Sequence, residues 1–340
     1  MKITRIETKL CDHELIPQLL IEVSTDEGLK GIGEAWWGLS VKPVESVINN
    51  ALAPLLLEED SSRIEYLWQK MFKYGYRYGT EGIFMCGLSG IDLALWDLLG
   101  KRLQVPVANL LGGTVRDSMK AYASLPPLRQ QDPLIKEIKR VVAAGFAGVK
   151  LHETDVDLVK LAREAVPENF PLMLDVNGQW TLLEAETNAK KLEDCSLTWL
   201  EEPIWPMQDH LAMSRFRQRV PLKLAAGENE YSLKAFDSLM KTNAVDYIQP
   251  EITKIGGLSM ARKVSALADL YNLPICPHSF RTGPAAYANV HWALSQTNME
   301  WFEIPWLPEG FNFPADVPEL EIDNGLISLP EGIGLGTPIN

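Results

Sequence analysis

At 340 residues, 46% hydrophobic and 23% charged, the chain is long enough for a barrel-sized core and a second module. A net charge of −13 with no basic stripe argues against a nucleic-acid partner, because nothing is placed to neutralise phosphates. Four scattered cysteines (Cys11, Cys86, Cys195, Cys276), a charged MKITRIETKL start and no apolar run of ~18–20 residues point to the cytoplasm and away from a membrane.

Residues 1–118 read as an α+β module. Residues 2–10 alternate as a strand does, and 19–34 read as a hairpin turning at Asp26-Glu27-Gly28. Helical spacing follows over 41–57, 61–74 and 80–103, the last through Ile91, Leu95 and Leu98. Pro106 and Gly112-Gly113 punctuate the exit.

From residue 119 the rhythm changes to short apolar strands alternating with helices. Strands are predicted at 120–125, 148–151, 171–174, 197–200, 222–226, 244–248, 273–276 and 300–302, with helices such as 133–144, 182–192 and 258–271 between them. The division is therefore 1–118, a barrel over 119–304, and a Pro- and Gly-rich segment, 305–340, expected to pack back on the first module.

A polar residue recurs just past each apolar run: Lys150 with His152, then Asp175, Glu201, Glu228, Glu251, His278 and Glu303. Counted from Lys150, the steps are 25, 26, 27, 23, 27 and 25 residues. Each step holds one β/α unit, and eight such units close into a barrel with its catalytic groups at the C-terminal strand ends. The series reads as one active site.

Asp175, Glu201 and Glu228 end three successive strands, whose ends in a parallel barrel lie ~5 Å apart. Three converging carboxylates repel unless a cation joins them, and an all-oxygen ligand set favours Mg²⁺, one per subunit, with Mn²⁺ next. The bland alternative, Lys or Arg pairing or helix capping, suits any one acid better than all three together. Glu202 points the other way along its strand and is assigned a structural or supporting contact. Lys150 and His152, two apart, share one face. A carboxylate such as Glu251 bonded to His278 would fix the imidazole tautomer and leave the other nitrogen free to move a proton.

Asp175-Val-Asn177, Leu200-Glu201-Glu202-Pro203, Gly227-Glu228-Asn229 and Lys254-Ile-Gly256-Gly257 resemble the enolase superfamily in its mandelate racemase subgroup. The similarity extends back to Gly90-Ile-Asp-Leu-Ala-Leu-Trp-Asp97. The resemblance implies a modified (β/α)7β TIM barrel under an N-terminal α+β capping domain, and an Mg²⁺-dependent enzyme that removes the proton α to a carboxylate. It also implies Asp175, Glu201 and Glu228 as metal ligands and Glu251–His278 as the acid–base dyad, with Glu in place of the subgroup's Asp. Lys150 then binds the substrate carboxylate, His152 replaces the second lysine of a Lys-x-Lys motif, and Asn177 supports the metal site or the substrate. Glu303 is expected to be protonated so as to donate to the enolic oxygen. Lys254 is read as structural, and Glu251 stands where the muconate-lactonising subgroup has a lysine.

Among the remaining candidates, His13, His210 and His291 are read as exposed or helix-packing, and Trp36-Trp37 as cap core. Tyr74, Tyr76 and Arg77 are possible pocket-lining groups. No phosphate-cradling Gly-rich loop and no Gly-x-Ser-x-Gly elbow occurs. The expected reaction is dehydration of a sugar acid to a 2-keto-3-deoxy acid by a homo-oligomeric enzyme. Racemisation, epimerisation or cycloisomerisation through His152 and His278 is the alternative, and a non-catalytic binding barrel is the remaining class.

Overall fold

The computed structural model describes residues 1–11, 17–36, 40–311 and 319–337. His13 and Trp37 lie outside them. The N-terminal module opens with an antiparallel sheet, β1 (Ile3–Cys11), β2 (Gln18–Thr25) and β3 (Lys30–Ala35), whose β2–β3 turn is the one predicted at Asp26-Glu27-Gly28. The single helix expected over 41–57 is instead α1 (Val41–Val47), a π-helical turn (Ile48–Leu52) and α2 (Ala53–Leu56). Pro54 has no N–H to donate four residues back, so the chain widens its turn before it.

Two longer helices, α3 (Ile64–Gly75) and α4 (Ile83–Leu103), complete this module, and α5 (Val107–Leu110) leads out of it. The α4 helix is long and apolar enough to cross a membrane, but 89% of its apolar window is buried in protein. It is the core helix: β3 lies on one side and the barrel on the other.

The barrel runs through β4 (Ser118–Ser124), α6 (Gln131–Ala143), β5 (Gly148–Leu151), α7 (Val156–Ala165), β6 (Leu172–Asp175), α8 (Leu182–Lys191) and β7 (Leu200–Glu201). It continues through α9 (His210–Arg217), β8 (Leu224–Ala226), α10 (Leu233–Lys241), β9 (Tyr247–Ile248), α11 (Ile252–Ile255), α12 (Gly257–Leu270) and α13 (Pro284–Ser295) to β10 (Phe302–Pro305). Strands β4 to β9 pair in sequence, all parallel, and β10 pairs with β4. The seventh strand, predicted over 273–276, is reduced to Ile275, which bridges Ile248 on one side and Met299 on the other.

Two final strands, β11 (Ile322–Asp323) and β12 (Leu326–Ser328), form a hairpin that pairs with the outer end of β4. Inside the barrel Tyr122, Met173, Trp199, Ala225, Tyr247, Cys276 and Trp301 form a buried layer. Those side chains plug the barrel beneath the strand ends, so it is a packed core with a site on top.

The seam between the modules is polar and specific. Asp92 on α4 accepts from Ser259 N (3.0 Å) and Ser259 Oγ (2.6 Å), and Trp68 Nε1 donates to Gly256 O at 2.8 Å. Gly257 has φ +71°, and a Cβ there would lie 2.2 Å from Asp92 Oδ2. Only glycine lets the barrel backbone come this close to the cap helix.

Candidate active site

Asp175 and Glu201 are the last residues of β6 and β7 and face each other across the ladder. Glu228 follows β8 after Gly227. Their carboxylate oxygens lie within 4.8 Å of one another. Each acid meets a basic side chain. Lys150 Nζ is 2.8 Å from Glu201 Oε1, 2.9 Å from Glu303 Oε1 and 3.8 Å from Asp175 Oδ2. His152 Nε2 is 3.2 Å from Asp175 Oδ2, and His278 Nε2 is 2.9 Å from Glu228 Oε2.

Further donors hold two of the carboxylates in place. Trp199 Nε1 (2.9 Å) and Gln249 Nε2 (2.6 Å) donate to Glu201 Oε2, while Asn177 donates to Asp175 through its backbone N (2.7 Å) and Nδ2 (2.9 Å). Three oriented carboxylates with only oxygen to offer fit a hard divalent cation such as Mg²⁺.

The imidazoles are equally constrained. His278 Nδ1 donates to Glu251 Oε2 at 2.7 Å, and Thr253 N (2.9 Å) and Oγ1 (2.7 Å) donate to Glu251 Oε1. His152 Nδ1 bonds the carbonyl of Leu125. Burial alone would lower the pKa of His278, but Glu228, Glu303 and Glu251 raise it well above its ordinary value. Burial likewise opposes charge on His152, and Asp175 outweighs it. Burial pushes Glu201 up to about 7 despite Lys150 beside it. Glu228 goes the other way: burial opposes its charge, yet His278 and Lys254 hold it well below the carboxylate range.

Across this arrangement, residues 133–340 match the model of the enolase C-terminal domain-like family. Residues 12–112 match the N-terminal domain of mandelate racemase and muconate lactonizing enzyme. The chain belongs to the enolase superfamily. An arabinonate dehydratase of Saccharolobus solfataricus is 34% identical over 94% of this chain and 87% of its own. The crystal structure of a 3,6-anhydro-D-galactonate cycloisomerase from Zobellia galactanivorans superposes with a TM-score of 0.92 at 29% identity, covering 100% of this chain and 97% of that one. A mandelate racemase/muconate lactonizing protein from Paracoccus denitrificans, complexed with magnesium, superposes with a TM-score of 0.92 at 27% identity over 100% and 96%. The expected architecture, a superfamily barrel under an N-terminal cap, is the one observed, and Mg²⁺ is the superfamily's metal.

The site brings together all nine residues singled out for it: Lys150, His152, Asp175, Asn177, Glu201, Glu228, Glu251, His278 and Glu303. Two expectations need correction. Glu303 does not end its strand but is the second residue of β10. Nor do its surroundings favour a protonated carboxyl. Burial does oppose its charge, but Lys150, His278 and the Ser279 N–H (2.8 Å) hold it down at about 2. The neighbouring buried acid Glu202 goes the other way: burial, Glu228 and Asp175 push its pKa well up.

Sequence reasoning also underrated several neighbours. Lys254, read as structural, places Nζ 3.8 Å from Glu228 Oε1, 3.2 Å from Asn229 Oδ1 and 4.2 Å from the centre of the Trp36 ring. Trp36, read as cap core, meets the His278 ring edge-on at 5.9 Å. Gln249 carries no signal of its own; its place just beyond β9, beside Glu251, was the only available hint. His210 and His291 are structural: the first bonds Ser238 and Glu230, the second is buried in α13.

Proposed function

We propose that this enzyme removes the proton α to the carboxylate of a sugar acid in an Mg²⁺-dependent reaction and expels the β-hydroxyl, giving a 2-keto-3-deoxy acid. The observation that supports this most is the His278 Nε2 contact with one of three convergent carboxylates while Glu251 holds Nδ1. Asp175, Glu201 and Glu228 would hold one cation per chain, which supplies positive charge opposite the substrate carboxylate.

The chain's own residues do the rest. Glu251 keeps the His278 proton on Nδ1, so Nε2 is the nitrogen that would accept the α-proton when a cation, and not the imidazole, offsets the Glu228 charge; the Glu251 carboxylate then balances the imidazolium. Lys150, buried on the same face, adds fixed charge beside the developing enolate. His278 returns its proton to the departing β-hydroxyl, which leaves as water, and the enol product ketonises in solution. Asn177 holds Asp175 in place.

The test is incubation with Mg²⁺ and a library of aldonates and aldarates, scored for 2-keto acid by semicarbazide absorbance. At least one strong hit is expected; a blank across the library overturns the dehydratase reading. The second reading, epimerisation or cycloisomerisation, draws on His152: it contacts Asp175 while His278 contacts Glu228, so two imidazoles flank the acid cluster. Exchange of the α-proton in D₂O without 2-keto acid would select it.

A further inference from the structure

A buried ionic network that the proposed chemistry leaves unused ties the cap to the acid–base dyad. Glu34 on β3 and Arg281, three residues past His278, are 0% and 2% exposed, with Arg281 NH1 3.2 Å from Glu34 Oε1. Glu34 Oε2 accepts from Ala285 N at 3.1 Å, at the start of α13, where the helix favours an anion. Gln18 on β2 donates to Thr282 O at 2.8 Å, so two cap strands grip the segment that follows His278. The Arg281 guanidinium lies 4.1 Å above the Trp36 ring, whose edge meets His278.

Arg281 Nε is buried without a hydrogen-bond acceptor among the described residues, and it lies 4.0 Å from Glu251 Oε2. That is the oxygen which holds His278 Nδ1. At this separation the guanidinium acts on Glu251 as a charge and not as a bonded partner. Thr253 holds the other carboxylate oxygen, so Glu251 is fixed from three sides: Thr253, His278 and Arg281. Of these, Arg281 is itself held in the cap by its ion pair with Glu34.

We propose that Glu34 and Arg281 are positioning residues for the proton-transfer dyad: through them, cap strand β3 sets where Glu251 holds the His278 ring. A barrel alone would therefore carry the acid cluster but not a correctly seated imidazole. The inference rests on the proposed function only for its kinetic consequence, not for its structural one.

The experiment follows the low-field proton resonance of His278 Nδ1–H in the Mg²⁺-loaded protein, assigned by its loss in His278→Asn. Glu34→Gln, Arg281→Met and the double variant are compared with the unmutated enzyme. Arg281→Met alone leaves Glu34 buried and unpaired and can unfold the chain; the double variant removes both charges and keeps the comparison decidable. In every folded variant the resonance is expected to shift or broaden and kcat to fall about tenfold or more, with KM changed less than about twofold. The double variant should cost no more than the worse single one, as for residues acting through one path. A double variant whose resonance is unmoved, with only a lower melting temperature, makes the pair a plain interdomain clasp and overturns the proposal. If the unmutated enzyme turns over no sugar acid, the functional reading fails, and the resonance still decides this one.

Discussion

On the carboxylate side of the site, Asp175 and Glu201 occupy the last paired residues of their strands, and the ladder itself sets their spacing. On the imidazole side, Glu251 stands three residues beyond β9, and His278 three beyond Ile275, the one bridged residue described for its strand. Both lie past the paired residues, and their side chains are held by Thr253, by Arg281 and, through it, by the cap. Strand ends position groups cheaply because they share a rigid frame; positions past the frame need a second layer of contacts. The carboxylate side should therefore tolerate disturbance of the cap seam, and the imidazole side should not.

The largest expected effect strikes the imidazole side directly. His278→Asn should lower turnover by about 10²–10⁴-fold, as loss of a general base does, while leaving Mg²⁺ affinity within a few-fold by calorimetric titration. A parallel collapse of metal binding would show that the two sides are not separable. Next comes Glu228→Gln, which should weaken Mg²⁺ binding beyond the ~10–100-fold typical of losing an outer-shell partner. Equal affinity in both proteins would remove Glu228 from the ligand set and support a non-catalytic barrel.

The seam can also be loosened by pH. His291 on α13 accepts from Ala108 N at Nδ1 (3.0 Å) and donates from Nε2 to Leu335 O (3.1 Å), so the buried ring is neutral. Burial pushes its pKa from 6.5 down to about 4, against the opposing bond to Leu335. Between those values the unfolded chain binds the proton and the folded one does not, so stability falls as pH drops from 6.5 toward 4. The contribution is roughly 3 kcal/mol. Urea melts of the native protein and of His291→Gln should converge at low pH; a constant gap from pH 7 to pH 4 contradicts this.

The smallest effect is expected from Gly257→Ala, which forces a side chain into a left-handed position against Asp92. It should cost about 1–3 kcal/mol in thermal melts. The contrast between the two sides predicts unchanged Mg²⁺ affinity alongside reduced kcat. Loss of both together would mean that the acid cluster also depends on the cap.

Much of the site was legible because a barrel imposes a period. Residues about 25 apart, each just after an apolar run, are brought to one end of the sheet whatever the intervening helices contain. Asp175, Glu201, Glu228, Glu251 and His278 could be named on that ground alone. Lys254 and Trp36 could not, because one follows a strand end by several residues and the other comes from a different module. Their shared stacking is invisible to spacing.

What the linear chain determined by itself was thus the repeating unit, the strand-end acids and imidazoles, and the oxygen-only donor set. Those depend on local patterning and on a closed parallel geometry with few variants. Only the folded molecule decided which charges surround Glu303, the approach of Arg281 to Glu251 and the pairing of cap residue Glu34 with Arg281. Each of these depends on which charges are buried beside one another, and burial is a property of packing between segments some 250 residues apart along the chain, as Glu34 and Arg281 are.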